Sequence, residues 1–406
     1  VSEKTMATAR DGARELAAFG RDSTVKDVLQ WKENLRIGSQ SETKGTILID
    51  VHDTVGKALR LLADGNVLSA PVVVQEKRNS ASKRIDVRDP VTLVGFLGVT
   101  DVLKVFLEEF VRDAFENNRD LIAENADVRE RVEELDRLGE MFERKTVSSI
   151  CNAVCAGAFS SPQRYDGGVV YTKDLEMSLT TAIHEGFFNV RDTIPAHRLL
   201  ILQPEDDLFL QHLKSPTTTM FARGKVVDIL SQSDVVGYLH AKLESLPSLS
   251  QCKIADMEIG TSWSDMVFVT SEMPAIDVLS MMCSKGLTSL AIVAHDSVES
   301  PRAVERGRLE GNLSTSDFRG LQPHEFRTLA LPVQKFLAAR KMSEVQTKNT
   351  ENIDLVSVPE EANILQALEM LAKYRVHRVY RVNEAGRAMG VITLTDILLL
   401  IDNLAS

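Results

Sequence analysis

The chain has 406 residues, of which 44% are apolar and 26% are charged. This composition is typical of a globular protein with about two or three domains. The net charge of −11 argues against general binding to nucleic acid, because a phosphate backbone requires a basic surface. An acidic chain can still hold a small anion in a local pocket made by a few basic residues.

The chain has no stretch of about 18 apolar residues, so we expect no transmembrane helix. Its four cysteines lie mostly in apolar contexts, which fits buried thiols in a reducing compartment, the cytoplasm or the nucleus. The spacing of Cys151 and Cys155 is by itself a weak metal signal, and we predict no metal site.

The chain opens with a polar segment, residues 1–22, which we predict to be a leader with helical character around residues 13–19. An amphipathic pattern follows at i, i+3, i+4 and i+7 and predicts one apolar helix face. Its members are Val55, Ala58, Leu59 and Leu62. Strands are predicted at residues 70–74 and 93–98, with a polar loop between them at 75–90.

Residues 101–145 are rich in charge and contain no proline. Their apolar residues follow a heptad-compatible spacing over two heptads, fewer than a coiled coil requires. We predict one or two long helices that pack against the body and keep one solvated face. The alternative is a docking helix for another subunit.

One unit of helix, strand, strand and helix occurs four times along the chain. Each copy ends in an apolar strand, a Ser/Thr-Asp step and an apolar helix start, and repeats of this kind indicate an architecture. The four endings are residues 93–101, 225–234, 308–317 and 387–396. Upstream helices are predicted at residues 179–183, 276–282 and 364–371 in the later copies.

Such a unit cannot bury both faces of its small sheet alone, so the units are expected to pair and the pairs to pack together. The predicted fold class is α+β, with four repeats in two tandem pairs that form a disc. The predicted segments are a polar leader (1–22), repeat one (23–110), a long charged helical insertion (111–146), repeat two (147–243), repeat three (251–327) and repeat four (328–404).

The Ser/Thr-Asp steps place a carboxylate at a strand-to-helix turn in every repeat. A carboxylate can accept hydrogen bonds from both cis hydroxyls of a ribose, and charge-assisted bonds are strong. The alternative is helix capping, in which the same side chains satisfy backbone amides. The candidates for ribose contact are Asp101, Asp234, Asp317 and Asp396, with Thr100, Ser233, Ser316, Thr393 and Thr395.

The positions before the first strand of each unit are basic only in repeats two and four. Arginine presents a planar fork that matches phosphate oxygens, and histidine can add a donor or a charge. The alternative for each histidine is a packing residue. The candidates for phosphate contact are His197, Arg198, His377, Arg378 and Arg375.

These units resemble the cystathionine-beta-synthase (CBS) domain, which occurs in tandem pairs. The resemblance covers residues 23–403 and is strongest in the fourth unit. Four copies without a catalytic domain resemble the gamma subunit of AMP-activated and sucrose-non-fermenting-type protein kinases, and the plant gamma-like subunits above all. The resemblance implies that each Asp contacts ribose and that the His-Arg pairs contact phosphates near the centre of the disc.

Three positions depart from the family pattern. Pro195 stands where the family's second repeat has a Lys. Leu68 stands where the family often has a basic residue, so one phosphate ligand is expected to be missing. Asp234 stands where animal-type gamma subunits carry Arg, so the set of occupied pockets is expected to differ.

The sequence contains no Walker-type loop, no nucleophile elbow and no His-Glu-x-x-His motif, so we expect no enzyme. The resemblance implies a regulatory subunit that binds AMP, ADP or ATP, without a catalytic cofactor, and assembles with the catalytic and scaffold subunits of an energy-sensing Ser/Thr kinase. The alternative is a structural adapter with degenerate or permanently filled pockets in a larger assembly. A third reading is a CBS module that senses another adenosyl compound.

Overall fold

The computed structural model describes residues 3–38, 46–74, 90–112, 128–156, 169–188, 196–204, 223–294, 307–345 and 355–405. The loop predicted at residues 75–90 lies outside these ranges, apart from its last residue. No helix in the described part of the chain combines the length and apolar character needed to cross a membrane.

Two helices, α1 (Glu3–Asp22) and α2 (Val25–Gly38), come before the first strand, and α2 lies at the start of the segment predicted as repeat one. Residues 3–22 of the predicted polar leader therefore form a packed helix, because Leu16 and Phe19 lie on one face of α1 and are buried in the core of repeats two and four. The mean polarity of the segment concealed this narrow apolar face.

Repeat one follows the predicted order, and the four predicted apolar residues of its first helix are buried. The hydroxyl of Thr54 caps this helix by accepting a hydrogen bond from the Lys57 amide at 3.3 Å. The last helix of the repeat continues into a π-helical turn at Leu107–Val111. The elements are β1 (Ile49–Asp50), α3 (Val55–Asp64), β2 (Ser69–Val74), β3 (Val91–Gly98) and α4 (Val99–Phe106).

The charged segment after repeat one contains α5 (Val128–Glu143), which packs against the body as predicted. It buries Leu135, Leu138 and Phe142, while its charged residues such as Arg129 remain exposed. The Phe142 ring lies 5.4 Å from Phe106 and 6.2 Å from Phe326 between ring centroids. This helix is therefore part of the core that repeats one and three share.

The segment predicted as repeat two opens with α6 (Val147–Ala156). The helix between its first two strands is short and runs into a π-helical turn at Ala182–Phe187. The elements are β4 (Val169–Tyr171), α7 (Leu179–Thr181), β5 (Arg198–Pro204), β6 (Arg223–Ser231) and α8 (Gln232–Lys242). The linker that follows is helical and contains α9 (Pro247–Gln251), whose Leu249 amide donates to the Glu15 carboxylate of α1 at 2.9 Å.

Repeats three and four differ in the helix after the second strand. In repeat three the Ser/Thr-Asp step opens only a 3₁₀ turn, Thr315–Phe318, followed by a second one at Pro323–Ala330. The elements of repeat three are β7 (Thr261–Ser262), β8 (Phe268–Thr270), α10 (Ala275–Lys285), β9 (Ser289–Val293) and β10 (Leu309–Ser314). Those of repeat four are α11 (Val333–Val345), β11 (Ser357–Pro359), α12 (Ile364–Tyr374), β12 (Arg378–Val382), β13 (Ala388–Thr393) and α13 (Leu394–Ala405).

The repeats pair through their sheets in the predicted tandem order. β3 and β6 are neighbours, with Val91 opposite Gly224, so repeats one and two share a six-stranded sheet of order β1-β2-β3-β6-β5-β4. Repeats three and four do not share one continuous sheet. One sheet is β10-β9-β8 of repeat three, and in the other β7 of repeat three joins the strands of repeat four in the order β11-β12-β13-β7. These two sheets pack through a small apolar cluster and a hydrogen bond from the Leu309 amide to the Gly386 oxygen at 2.9 Å.

The two pairs are joined through their helices. One apolar core combines repeats one and three, with Phe106 and Phe326 in contact at 4.5 Å between ring centroids. A second core combines repeats two and four with α1 and α2. Each repeat thus has one neighbour through sheets and another through helices, and the four form a ring.

Candidate functional site

The four aspartates of the Ser/Thr-Asp steps cap the turns that follow them. In each repeat one carboxylate oxygen, Oδ2, accepts a hydrogen bond from the backbone amide three residues earlier. The donor amides are Gly98, Ser231, Ser314 and Thr393, at 2.8, 2.8, 2.6 and 2.7 Å. The capping role is therefore present in all four repeats. A carboxylate has a second oxygen with its own lone pairs, so capping is compatible with a ligand contact.

A cavity of about 1280 Å³ lies where the four repeats meet. Every repeat contributes to its wall, because the strand-to-helix turns point toward the centre of the ring. Phe96, Met282 and Leu287 add apolar surface to it. This volume exceeds that of typical small-molecule sites, which measure about 300 to 1,000 Å³.

Most of the predicted site residues line this one cavity. Those that do are Thr100, Asp101, His197, Arg198, Ser233, Ser316, Asp317, Arg375, His377, Arg378, Thr393 and Thr395. Asp234 and Asp396 are not part of its wall, although their neighbours in sequence are. Asp234 instead forms an ion pair with Lys32 of α2, at 3.1 Å between Nζ and Oδ2.

The Ser/Thr-Asp turns also contact one another across the ring. The hydroxyls of Thr100 and Thr315 are 3.3 Å apart between repeats one and three. Between repeats two and four, the Thr395 hydroxyl donates to the amide oxygen of Gln232 at 3.0 Å. These contacts bring together turns that are distant in sequence and so define the centre of the cavity.

The arginines of the His-Arg pairs are each held by the preceding repeat. Arg198 donates to the backbone oxygen of Ser69 at 2.9 Å, and Arg378 donates to the hydroxyl of Thr288 at 2.7 Å. Burial lowers the pKa of both guanidinium groups from its ordinary value. Asp234 opposes this effect at Arg198, while Tyr380, Asp317 and Asp396 oppose it at Arg378. A bound anion would stabilise both charges in the same way.

His377 stands among these cations. Burial, followed by the charges of Arg378, His197, Arg198 and Arg319, lowers the pKa of His377 to about 4. The imidazole faces the cavity, and water in the cavity would reduce the lowering of its pKa. At neutral pH the ring is therefore uncharged and can donate one hydrogen bond.

Burial also raises the pKa of the Asp396 carboxyl, against the hydrogen bonds from Thr393 and the charge of Arg378. Further hydrogen-bond donors, such as ribose hydroxyls, would stabilise the charged form of this carboxylate.

The structure adds basic residues that the sequence patterns did not identify. They are Lys104, Lys285, Arg319 and Lys341, and all line the cavity. Lys104 and Arg319 lie just after the Asp of repeats one and three, where no cation had been predicted. Among the described residues on the wall, seven lysines and arginines face three carboxylates, so the cavity is cationic in a chain of net charge −11.

The described residues contain no group of three or more His, Cys, Asp or Glu side chains that could hold a metal ion. The thiols of Cys252 and Cys283 are weakly acidic, since burial raises the pKa of each to about 11. The chemistry of the cavity is thus that of cations, hydroxyls and carboxylates.

A family model described as the CBS domain matches residues 343–403, which contain the fourth repeat. The fold is that of four CBS repeats in two tandem pairs. The other three repeats share with the matched one the Asp-capped turn after the second strand.

Among curated proteins, the chain is similar to the SNF1-related protein kinase regulatory subunit gamma-like PV42b of Arabidopsis thaliana. The two are 25% identical over 177 residues, which are 42% of this chain and 49% of the relative. The chain therefore spans about half the length of the curated relative it matches.

Solved structures with a similar fold include a Methanocaldococcus jannaschii protein described as a candidate archaeal homolog of g-AMPK. It is 15% identical, with a TM-score of 0.49, over 89% of this chain and 98% of that one. The CBS domain of a bacterial CNNM/CorC family Mg²⁺ transporter, solved in complex with ATP, is 18% identical with a TM-score of 0.29, over 40% of this chain and 96% of that one.

Proposed function

We propose that this chain is a non-catalytic regulatory subunit, gamma-like, that binds adenine nucleotides and controls an energy-sensing Ser/Thr kinase complex. The observation that carries the proposal is the convergence of His197, Arg198, His377 and Arg378 with Arg319 in one cavity. The guanidinium groups of Arg198, Arg319 and Arg378 repel one another when partly desolvated. A phosphate group would relieve this repulsion and accept hydrogen bonds from the histidines.

The ribose part of the ligand is assigned to the carboxylates beside these cations. Asp101 and Asp317 line the cavity, and Asp317 lies close enough to Arg378 to oppose the lowering of its pKa. A phosphoribose could therefore contact a carboxylate through its hydroxyls and a guanidinium through its phosphate. The choice of adenine as the base rests on the family resemblance, and the apolar wall of the cavity offers surface for a base.

The proposed partners follow from the relative named a kinase regulatory subunit. Regulation would work by differential binding. AMP and ATP compete for the same cations, and the two bound states present different surfaces to the kinase subunits. The place of action proposed for such a complex is the cytoplasm or the nucleus.

Calorimetric titration of the nucleotide-free chain with AMP, ATP and inorganic pyrophosphate tests the proposal. We expect heat with all three ligands and competition between AMP and ATP. Titration with GMP reports whether the base contributes. Absence of binding by every one of these ligands would refute a nucleotide-sensing role.

The structural adapter remains a second candidate, favoured by the arginines already held by Ser69 and Thr288 and by the α2 helix that covers Asp234. Removal of residues 112–143 cannot test it, because α5 supplies buried core residues. Charge reversal of the exposed residues Arg129 and Glu130 leaves the core intact. Loss of co-purifying protein with this variant, together with no nucleotide binding by the parent, would favour the adapter.

A further inference from the structure

Lys32 of α2 lies directly against the carboxylate of repeat two. Its ammonium is 3.1 Å from Asp234 Oδ2 and 3.2 Å from Asp228 Oδ1. It also donates a short hydrogen bond to the backbone oxygen of Ile229. The side chains of Lys32 and Asp234 are only 16% and 18% exposed, so this is an ion pair largely shielded from water.

The helix that carries Lys32 is anchored on both sides of it. Arg36, one turn later, uses two guanidinium nitrogens to contact the two oxygens of Asp228, each at 3.2 Å. Trp31 lies edge-on to Tyr238, with ring centroids 6.0 Å apart. Trp31 also abuts Gly237, where a Cβ atom would stand 2.7 Å from the ring. These contacts keep the ammonium over Asp234 and restrict it far more than a surface lysine.

Lys32 engages the oxygen of Asp234 that the cap also uses. The Ser231 amide and hydroxyl reach Oδ2 at 2.8 and 2.7 Å, and the ammonium completes three donors around it. Ribose hydroxyls would have to bind the same small carboxylate beside this cation. The ammonium neutralises the charge of Asp234, so a ribose hydroxyl at the second oxygen would lose the charge assistance that makes such a hydrogen bond strong.

The corresponding carboxylate of repeat four has a different environment. Asp396 is capped by Thr393 in the same way, with Oδ2 accepting from the amide and the hydroxyl, each at 2.7 Å. Within the described part of the chain no ion pair reaches Asp396. Repeats two and four share the Ser/Thr-Asp step in sequence, yet only the former has a cation from outside the repeat placed on it.

We infer that Lys32 is a specificity-determining residue that excludes ribose from the Asp234 position, so that repeat two contributes its cations to the central cavity but binds no nucleotide of its own. This inference rests on the proposed function, because it assumes that the other carboxylates accept ribose. Arg198 lies close enough to Asp234 for their charges to interact. If a phosphoribose bound at Asp234, its phosphate could therefore contact Arg198.

Calorimetric titration with AMP of the parent chain and of Lys32→Met tests the inference. The methionine keeps an unbranched apolar stem and removes the ammonium. We expect the number of AMP molecules bound per chain to rise by one. The gain should disappear in the double variant with Asp234→Asn. Lys26→Met is the matched control, since Lys26 is an exposed lysine of the same helix and pairs with Glu176 at 2.5 Å.

The possible outcomes distinguish a failure of the inference about Lys32 from a failure of the proposed nucleotide binding. AMP binding by both chains with the same stoichiometry overturns the role of Lys32 and leaves the nucleotide function standing. No binding by either chain overturns both. If Lys32→Met fails to fold, Asp228→Asn loosens the hold on Lys32 without touching Asp234, and an added AMP site is again the expected result.

A second measurement needs no substitution. Acetylation by a soluble succinimidyl ester should modify Lys32 at least ten-fold more slowly than Lys26, and saturating AMP should leave the Lys32 rate unchanged. Faster labelling of Lys32 in the presence of AMP would mean that the nucleotide displaces it from Asp234, and the inference would be wrong.

Discussion

The guanidinium of Arg198 donates a hydrogen bond to the backbone oxygen of Ser69 at 2.9 Å, and this bond joins repeat two to repeat one at the edge of the cavity. Arg378 repeats the contact between repeats four and three, through the Thr288 hydroxyl at 2.7 Å. Each tandem pair thus contributes one arginine, fixed by a hydrogen bond, to the wall of the same cavity. Anchoring fixes the fork before a ligand arrives, which reduces the entropy lost on binding.

Replacement of the anchored arginine is expected to weaken nucleotide binding strongly. Hydrogen bonds to charged groups contribute about 1.5 to 3 kcal/mol, so Arg378→Ala should raise the Kd for AMP by about 10- to 100-fold. Arg387→Ala is the control, because Arg387 is exposed in the hairpin between the same two strands. Equal affinities of Arg378→Ala and the parent in calorimetry would show that the phosphate does not bind here.

Replacement of a carboxylate on the cavity wall should weaken the binding of a ribose-containing ligand but not the binding of a phosphate alone. Asp317→Asn retains an oxygen acceptor but loses the charge, so AMP should bind about ten-fold more weakly. Inorganic pyrophosphate should bind as well as before or slightly better, since one repelling charge is gone. Asp265→Asn, at an exposed position, serves as the control. Parallel loss of both ligands would contradict a ribose contact and point to local unfolding of the cap.

Protonation of His377 should accompany phosphate binding. In the ligand-free protein, burial and the neighbouring cations lower the pKa of His377 to about 4. A bound anion would raise this pKa again. The complex then binds more protons than the free protein, so affinity should rise as pH falls from 7 toward 5. Protonation of the ligand's phosphate affects the parent and His377→Gln equally. The difference in pH-dependent affinity between the two proteins therefore measures the contribution of His377.

Calorimetry in buffers of different ionisation enthalpy measures this proton uptake directly. His377→Gln should abolish the extra uptake at pH 5 to 6. An identical pH dependence for the parent and the variant would mean that His377 does not face the phosphate.

The close packing of α5 predicts an unusual response at Gly139. Alanine normally stabilises an exposed helix interior by about 1 kcal/mol relative to glycine. Here a Cβ atom would stand 2.1 Å from the backbone oxygen of Pro323, so Gly139→Ala must displace the helix. We expect a loss of about 1 to 3 kcal/mol in the free energy of unfolding.

Gly95→Ala is the matched control for this prediction, since a Cβ atom at Gly95 meets nothing within 4 Å. Urea denaturation of both variants supplies the comparison. If Gly139→Ala is as stable as the parent, then α5 is loosely attached and could instead serve as a docking element.

The repeats and their elements follow from local sequence patterns. Helix periodicity, strand alternation and the Ser/Thr-Asp step are local properties, because a helix face or a cap depends on residues three or four positions apart. The helix at residues 55–62, the capped turns and the pairing of neighbouring repeats could therefore be predicted. The basic residues His197, Arg198, His377 and Arg378 were also identified locally, from their place at strand starts.

Which of these residues come into contact depends on how the repeats pack against one another. Lys104 and Arg319 reach the cavity because repeats one and three pack through their helices, and α1 and α2 belong to repeats two and four because their narrow apolar faces are buried there. Lys32 and Asp234 are separated by 202 positions, and nothing in the local pattern of either residue indicates the other. Electrostatic contacts depend on distance in space, so four carboxylates that look equivalent in sequence become unequal once the chain folds.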